Sequence, residues 1–327
     1  MVKIKKDNRD IVQSYIWTVA KYEANAYEKR IFYRILEAIQ YEIEGKRLKG
    51  LQIRKTLFDD RIFRMPTSLF LKDEQDQNYT QIKKALRKLR ERSVEFDNGL
   101  VWKVRGIVEK PILDYRGVVE FEVSADVYSC MLDFVKGYRK FELLTAMSFN
   151  SEYSMRLYEI VSEQTKSITY TIQYLKERFC IENKYSRNSD FIKYVVEPAK
   201  KELDEKSPYS FEFVINKQGK QFHSITFYPV AVPKNRDEQV ERKSLQKQIS
   251  LSWMLDKIER KYLNDMGFSD RQIKNNLDTI IEAKRLLPDF MFELSILKGK
   301  MRDKKNPQGW VINALKGKIK DIRNIQS

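Results

Sequence analysis

The order of elements between Ile168 and Tyr228 constrains the fold of this chain more than any other feature. A short amphipathic segment, Ile172–Phe179, comes first, and a turn and a basic helix follow it. The basic helix has apolar residues at three- and four-residue steps, the spacing of one buried stripe: Ile192, Val195, Val196, Ala199 and Leu203. The runs Tyr209–Ile215 and Gln221–Tyr228 alternate around a glycine-containing turn, which predicts a β-hairpin. Together these elements predict a winged-helix DNA-binding unit.

A similar order of elements occurs earlier in the chain. The helical pattern Asn25–Glu44 precedes a very basic helix, Gln81–Arg92, and alternating runs at Leu100–Val108 and Val118–Val123 follow. We interpret this order as a diverged internal repeat, although no repeat is visible residue by residue. The predicted fold is therefore α+β, with two tandem winged-helix domains and an all-helical C-terminal tail.

Glycine and a change of composition mark the predicted domain boundaries. Gly137 separates an N-terminal winged-helix domain, residues 1–136, from a second, DNA-binding winged-helix domain, residues 137–232. The chain then becomes charged and poor in apolar residues, so residues 233–327 are predicted to form a linker and a helical C-terminal region. The apolar stripes of these last helices need a partner or a packing surface, and we expect them to dock other proteins or to assist oligomerisation.

The charge balance of the chain favours a polyanionic partner. Among its 327 residues, 62 Lys and Arg outnumber 46 Asp and Glu, which gives a formal net charge of +16. Nucleic acid is the first candidate for such a surface and an anionic membrane the second, with a merely basic protein as the alternative. No apolar run is as long as a membrane span, and the N-terminus lacks the apolar core of a signal peptide. We therefore predict a cytoplasmic protein without membrane contact.

Cysteine and histidine are too few for a zinc site. The two cysteines, Cys130 and Cys180, and the single His223 cannot supply four zinc ligands. Enzymes that nick DNA with a tyrosine hold a metal with clustered histidines, which one histidine cannot provide. Three Gly-Lys pairs lack the glycine spacing and the Ser or Thr of a phosphate-binding loop: Gly219-Lys220, Gly299-Lys300 and Gly317-Lys318. The sequence thus predicts a protein that is not an enzyme and needs no cofactor.

Several motifs occur in the order and spacing of a known family. The run Tyr153–Glu159, the helix Phe191–Leu203 with its Glu197-Pro198-Ala199, and the hairpin Phe211–Tyr228 resemble the RepB-like plasmid replication initiators. These iteron-binding proteins consist of two winged-helix domains. The resemblance covers the chain roughly from Asn25 to Pro229, is more specific in the second unit, and leaves out the C-terminal tail.

The resemblance implies a function and a set of partners. Such initiators bind direct repeats in double-stranded DNA at a plasmid origin, promote opening of an A·T-rich segment, and recruit the host initiator and the replicative helicase. The resemblance also implies a homodimer in equilibrium with a monomer, in which dimers repress the initiator's own gene and monomers start replication. Leu100–Val108 and Val118–Val123 are candidates for dimer contact by resemblance alone. A winged-helix transcriptional repressor without a replication role is the alternative, and a relaxase-like nickase is a third.

By resemblance, the recognition helix falls on Arg187–Lys201 and the wing on Lys217–Lys220. Base contacts are predicted from the outward face of this helix: Arg187, Asn188, Lys193 and Tyr194. Phosphate contacts are predicted from Lys200, Lys201, Lys217 and Lys220, and the predicted DNA-binding set also includes Ser189 and Gln218. In the first unit, backbone contacts are predicted from one side of the helix Gln81–Arg92: Lys83, Lys84, Arg87, Lys88 and Arg90. For each helix, a solvated surface without DNA contact is the alternative.

Some residues of these helices have open interpretations. Pro198 either kinks the recognition helix or marks the start of a new one. Arg156 either contacts phosphate or pairs along its own helix with Glu152 or Glu159, and the pairing is favoured. Asp190 and Glu197, on the outward face of the recognition helix, depart from the family pattern, and their oxygens can accept a hydrogen bond from cytosine N4 instead of repelling phosphate.

Overall fold

The computed structural model describes residues 8–46, 48, 50–72, 76, 78–97, 101–114, 116–134, 137–242, 255 and 257–326. Its helices include α1 (Tyr15–Val19), α2 (Ala26–Ile43), α3 (Tyr79–Glu91), α4 (Ala125–Met131), α5 (Leu143–Ser148), α6 (Glu152–Val161), α7 (Ile172–Phe179), α8 (Asn188–Phe191), α9 (Glu197–Lys206), α10 (Lys257–Asp265), α11 (Asp270–Asn275), α12 (Leu277–Leu286), α13 (Phe290–Lys300) and α14 (Pro307–Gln326). Its strands include β1 (Asp10–Ser14), β2 (Gln52–Lys55), β3 (Arg61–Pro66), β4 (Ser93–Asp97), β5 (Trp102–Gly106), β6 (Glu109–Asp114), β7 (Val118–Val123), β8 (Tyr138–Glu142), β9 (Ile168–Thr171), β10 (Tyr209–Gln218) and β11 (Gln221–Ala231). A π-turn, Ile192–Val196, joins α8 to α9.

The first unit combines α2, α3 and a four-stranded antiparallel sheet in one core. α2 begins after Asn25, whose side chain accepts a hydrogen bond from the Glu28 amide. The sheet has the strand order β2-β3-β7-β6, and the rings of Phe63 on β3 and Phe121 on β7 stack with centroids 5.5 Å apart. A separate hairpin, β4–β5, follows α3 and forms the wing of this unit.

The predicted strand Leu100–Val108 contains β5, Trp102–Gly106, and the strand that follows it, β6, was not predicted. β5 ends at Gly106 and pairs with β4, whereas β6 begins at Glu109 and pairs with β7. A side chain at position 106 would meet the Arg90 carbonyl oxygen at 2.8 Å, so glycine lets the backbone turn close to α3. Leu100 itself lies outside the described residues. The prediction Val118–Val123 is confirmed as β7.

The second unit has the predicted helix, turn, helix and hairpin. α7 begins after Thr171, whose hydroxyl accepts from the Tyr174 amide, and ends at Cys180 in the left-handed region at φ 55°. The continuous helix α8–π-turn–α9 comes next, and the antiparallel sheet with the order β10-β11-β9 covers the core. The predicted α+β fold is confirmed.

Strand pairing joins the two units. β1 and β8 run antiparallel, with Ile11 opposite Phe141, and both of these side chains are fully buried. They belong to one hydrophobic core that extends through both units. The domain boundary predicted after residue 136 thus separates two paired strands, and it stays a prediction.

Charged side chains are buried where α2 meets α6. Lys29 forms an ion pair with Glu159, and the two side chains are 1% and 0% exposed. The Tyr33 hydroxyl donates to the same carboxylate at 2.8 Å, and Arg30 Nε donates to the Met147 carbonyl oxygen at 3.0 Å. Removing either partner of the ion pair would leave an uncompensated buried charge, so these contacts hold the two helices in one arrangement.

Arg156 holds the segment between α1 and α2. The predicted pairing with Glu152 or Glu159 is wrong, because Nη1 donates to the Tyr22 carbonyl oxygen at 3.1 Å and Nη2 donates to that of Ala20 at 2.9 Å. Its guanidinium also lies 4.2 Å from the centroid of the Tyr22 ring. The residue is 3% exposed, so it does not reach phosphate either.

Helices α10–α14 form a bundle with a core of its own, and the predicted helical tail is confirmed for residues 257–326. α11 begins with a capping box in which Ser269 and Gln272 exchange hydrogen bonds between side chain and backbone. The bundle packs on the first unit through Phe134, whose ring centroid lies 6.1 Å from that of Tyr262. Among the described helices, none combines the length and apolar character that crossing a membrane requires.

Candidate nucleic-acid interface

The recognition helix is the continuous element from Asn188 to Lys206. One side is buried in the core of the second unit: Phe191, Ile192, Val195, Val196, Ala199 and Leu203. The other side is exposed and mostly polar: Ser189, Lys193, Tyr194, Glu197 and Lys201. Arg187 occupies the N-cap position and is exposed as well. This is the arrangement of a helix that is supported from behind and presents polar side chains to a groove.

The π-turn accommodates Pro198. In an α-helix, proline lacks the N–H of the ladder and its ring clashes with the carbonyl four residues earlier. Here the Glu197 amide donates to the Ile192 carbonyl, five residues back, and helical backbone continues to Lys206. Helical backbone thus continues through one wider turn, and Pro198 lies in the first turn of α9, where its missing N–H is tolerated.

The position of Asn188 corrects its predicted role in base contacts. Its Nδ2 donates to the Phe222 carbonyl oxygen at 2.7 Å, and its Oδ1 accepts from Lys176 Nζ at 2.9 Å. Lys176, which is 4% exposed, also donates to the Tyr185 carbonyl oxygen at 2.8 Å. These bonds fasten the start of the recognition helix to α7 and to the wing strand β11. Asn188 thus positions the helix, and its amide is already engaged.

Lys200 is also engaged within the protein. Its Nζ lies 2.8 Å from an Asp204 oxygen and 2.9 Å from a Glu212 oxygen. Burial lowers the pKa of Lys200 while these two carboxylates raise it, and the net shift is upward. Its charge is paired within the protein, so a phosphate would compete with these two carboxylates for Lys200. Lys201 is exposed and has no ion pair with a described acidic residue.

The wing is the turn between β10 and β11. Gly219 occupies it at φ +61°, a backbone conformation that glycine adopts without strain. Lys217, Gln218 and Lys220 are all exposed around this turn, and Lys217 Nζ lies 5.5 Å from the centroid of the Phe222 ring. The Asn188–Phe222 bond joins this hairpin to the start of the recognition helix, so the wing lies beside that helix.

Tyr194 belongs to an aromatic pair that the sequence did not indicate. Its ring stacks on that of Tyr185 with centroids 6.0 Å apart and an interplanar angle of 21°. Lys193 Nζ lies 5.2 Å from the Tyr194 ring centroid, and Tyr194 is 52% exposed. The stack on Tyr185 covers one side of the Tyr194 ring and leaves about half of the side chain exposed.

The basic helix of the first unit, α3, exposes all five of its predicted DNA-binding side chains: Lys83, Lys84, Arg87, Lys88 and Arg90. Its opposite side is buried: Ile82, Ala85, Leu86 and Leu89. No ion pair joins any of the five cations to an acidic residue within the described part of the chain. They surround the exposed half of the helix, a distribution that favours backbone contact over base contact.

The chain matches two family models over the region that contains these elements. Residues 10–162 match the model described as Initiator Replication protein, WH1, and residues 171–229 match the one described as Initiator Rep protein, WH2. The chain belongs to the Rep family of plasmid replication initiators. The resemblance seen in the sequence and the two winged-helix domains are thereby confirmed, and the family supports an initiator over a transcriptional repressor. In this initiator the C-terminal bundle lies beyond both matches. No curated protein matches the chain.

The initiator families with these winged-helix domains are DNA-binding proteins. In the described ranges, no three His, Cys, Asp or Glu side chains form a group that could hold a metal ion. His223 lies exposed on β11, beside Phe222. The first family match extends to residue 162 and so includes β8, α5 and α6, which the sequence interpretation assigned to the second unit.

Proposed function

We propose that this initiator binds direct repeats at a plasmid origin through the recognition helix and wing of its second unit. The observation that carries the proposal is a set of exposed cations on one helix and its wing, without ion pairs to described acidic residues: Arg187, Lys193, Lys201, Lys217 and Lys220. Such cations are available to displace counterions from phosphates. The helix enters the major groove and the wing contacts the adjacent backbone.

Sequence selection comes from the exposed side of the recognition helix. Arg187 and Lys193 have donors suited to guanine O6 and N7, and Glu197 can accept from cytosine N4. Tyr194, held by its stack on Tyr185, offers contact to a thymine methyl group. Lys217 and Lys220 set the register on the duplex without reading bases.

The first unit extends the contact along the DNA backbone. Helix α2 packs on α3 and on α6, and α6 packs on α9, so a chain of packed helices connects α3 to the recognition helix. The two basic helices therefore grip one repeat as a single body. The backbone contacts of α3 raise the affinity for any duplex, while the second unit decides which duplex is preferred.

Replication follows from this binding in the proposed mechanism. Contacts to several repeats offset the cost of bending and melting a neighbouring A·T-rich segment. The initiator then recruits the host initiator and the replicative helicase, and the C-terminal bundle supplies a docking surface for such proteins. A homodimer in equilibrium with the monomer represses the initiator's own gene. All these steps take place in the cytoplasm, where the plasmid is.

A mobility-shift assay tests the proposal. The probe is a duplex that carries the tandem repeats found beside the gene, and the control is a random duplex of equal length and base composition. We expect the repeats to bind at least about a thousandfold more tightly at moderate salt. Equal affinity for the two duplexes would refute the proposed function.

A further inference from the structure

One row of buried residues in the recognition helix recurs at steps of four. Phe191, Val195, Ala199 and Leu203 are each at most 1% exposed. In an α-helix of 3.6 residues per turn, a step of four advances about 40° beyond a full turn. Three such steps rotate the row by about 120°, so in a regular α-helix these four side chains would spread over a wide arc of the surface.

The π-turn removes most of that rotation. It closes with the bond from the Glu197 amide to the Ile192 carbonyl, and so it holds one residue more than an α-helical turn. One extra residue turns everything after it back by about 100°. Pro198 supports the same geometry, because it has no N–H to bond the carbonyl four residues earlier.

The same rotation decides which lysine follows Lys193 on the exposed side. In an uninterrupted α-helix, Lys200 lies about 20° from Lys193 around the axis and Lys201 lies about 80° away. With the π-turn, Lys201 comes to within about 20° and Lys200 moves to the flank. The contacts agree with this rotation, since Lys200 pairs with Asp204 and Glu212 while Lys201 is exposed.

We propose that the π-turn sets the DNA sequence specificity of this initiator by placing Lys201, and not Lys200, in one row with Lys193 and Glu197. The inference rests on the proposed function, because the row has a role only if this helix enters the groove. Along the groove, the row then presents the donors of Lys193, the acceptor oxygens of Glu197 and the donors of Lys201. This order suits successive guanine and cytosine edges. Lys201 is thereby a base-contacting residue, in place of the phosphate contact predicted for it from the sequence.

Two matched substitutions in the full-length chain test the assignment. For Lys201→Ala and Lys200→Ala, the dissociation constants for the repeat duplex and for random duplex are measured, with thermal melting to confirm folding. We expect Lys201→Ala to lower the ratio of random to repeat dissociation constants by about tenfold and Lys200→Ala to leave it within about twofold. An effect of Lys200→Ala as large as that of Lys201→Ala overturns the inference. So does an equal loss of affinity for both duplexes with Lys201→Ala.

Pro198→Ala provides a second test that does not depend on either lysine. NMR determines whether the Glu197 amide still bonds five residues back, and the same affinity ratio is measured. We expect the ratio of random to repeat dissociation constants to be retained if the π-turn persists. We expect this ratio to fall if the turn becomes α-helical. The inference is overturned if the affinity ratio is retained although the turn has become α-helical. It is also overturned if the affinity ratio falls although the π-turn is intact. Pro233→Ala, at an exposed proline after β11, is the matched control.

These results separate the inference from the proposed function. A parent chain that does not prefer the repeats refutes the function itself. A parent chain that prefers them, with Lys200→Ala and Lys201→Ala behaving alike, refutes only the role of the π-turn.

Discussion

The guanidinium of Arg236 lies 3.0 Å from a carboxylate oxygen of Glu142, which is fully buried. The same guanidinium bonds Asp10 at 3.1 Å. Arg236 follows the last hairpin strand, whereas Glu142 ends β8 and Asp10 begins β1. Burial lowers the pKa of Arg236, the two carboxylates raise it, and the net shift is upward. A single arginine therefore ties the end of the second winged helix to the strand pair that joins both units.

Arg236→Ala is expected to destabilise the protein by about 3 kcal/mol, because it leaves the buried Glu142 carboxylate without its cation. Urea unfolding measures the loss of free energy. Arg242→Ala is the matched control at an exposed position six residues on, and should change the stability by less than about 0.5 kcal/mol. Equal stabilities of the two variants would contradict the role assigned to Arg236.

Arg187→Ala and Lys193→Ala are expected to reduce discrimination between repeats and random duplex. Each variant loses a contact to a base edge that is worth about 1–3 kcal/mol. Lys220→Ala removes a phosphate contact from the wing, so it should weaken binding to all duplexes equally and reduce the salt slope by about 1. Mobility shifts over a salt series measure both quantities. The division between base and phosphate contacts fails if the helix and wing variants behave alike.

Asn188→Ala is expected to lower stability by about 1–2 kcal/mol, since the Lys176 ammonium and the Phe222 carbonyl each lose a partner. The wing is then no longer fastened to the recognition helix, so affinity should fall for repeats and random duplex together. Thermal unfolding and mobility shifts give the two values. Asn183→Ala makes the same change at an exposed position of the preceding turn and should have neither effect. A selective loss of repeat binding with unchanged stability would instead support the base contact that the sequence predicted for Asn188.

Lys83→Ala combined with Arg87→Ala is expected to reduce the salt slope of DNA binding by about 2, because each cation releases about 0.9 counterion per phosphate contact. The ratio between repeat and random duplex should stay constant. The control is Arg271→Ala combined with Lys274→Ala, which removes two exposed cations from α11 in the C-terminal bundle. A solvated α3 without DNA contact would show no change in slope.

Helices and strands whose apolar residues recur at a short, regular spacing could be predicted from the sequence. The hairpin β10–β11 follows from alternation around Gly219, and the buried side of the recognition helix follows from its apolar spacing. The strand β5 lies within the predicted run Leu100–Val108, whereas β6 was missed because Pro111 is typical of a break between strands.

Contacts between distant parts of the chain could not be predicted. Arg156 bonds the Tyr22 and Ala20 carbonyls, and nothing in its own helix indicates those partners. Asn188 and Lys200 are polar residues on a basic helix, which is the pattern of a DNA contact until the positions of Phe222 and Glu212 are known. Periodicity gives the face of a helix, but tertiary packing decides which of its polar side chains remain available.

The pairing of β1 with β8 has a consequence for synthesis on the ribosome. Ile11 emerges early, yet its partner Phe141 is made only after the whole sheet of the first unit has been translated. Until then β1 presents an unpaired edge, and the first winged helix lacks part of its core. The start of the chain thus completes its folding only once β8 has left the ribosome, about 130 residues later.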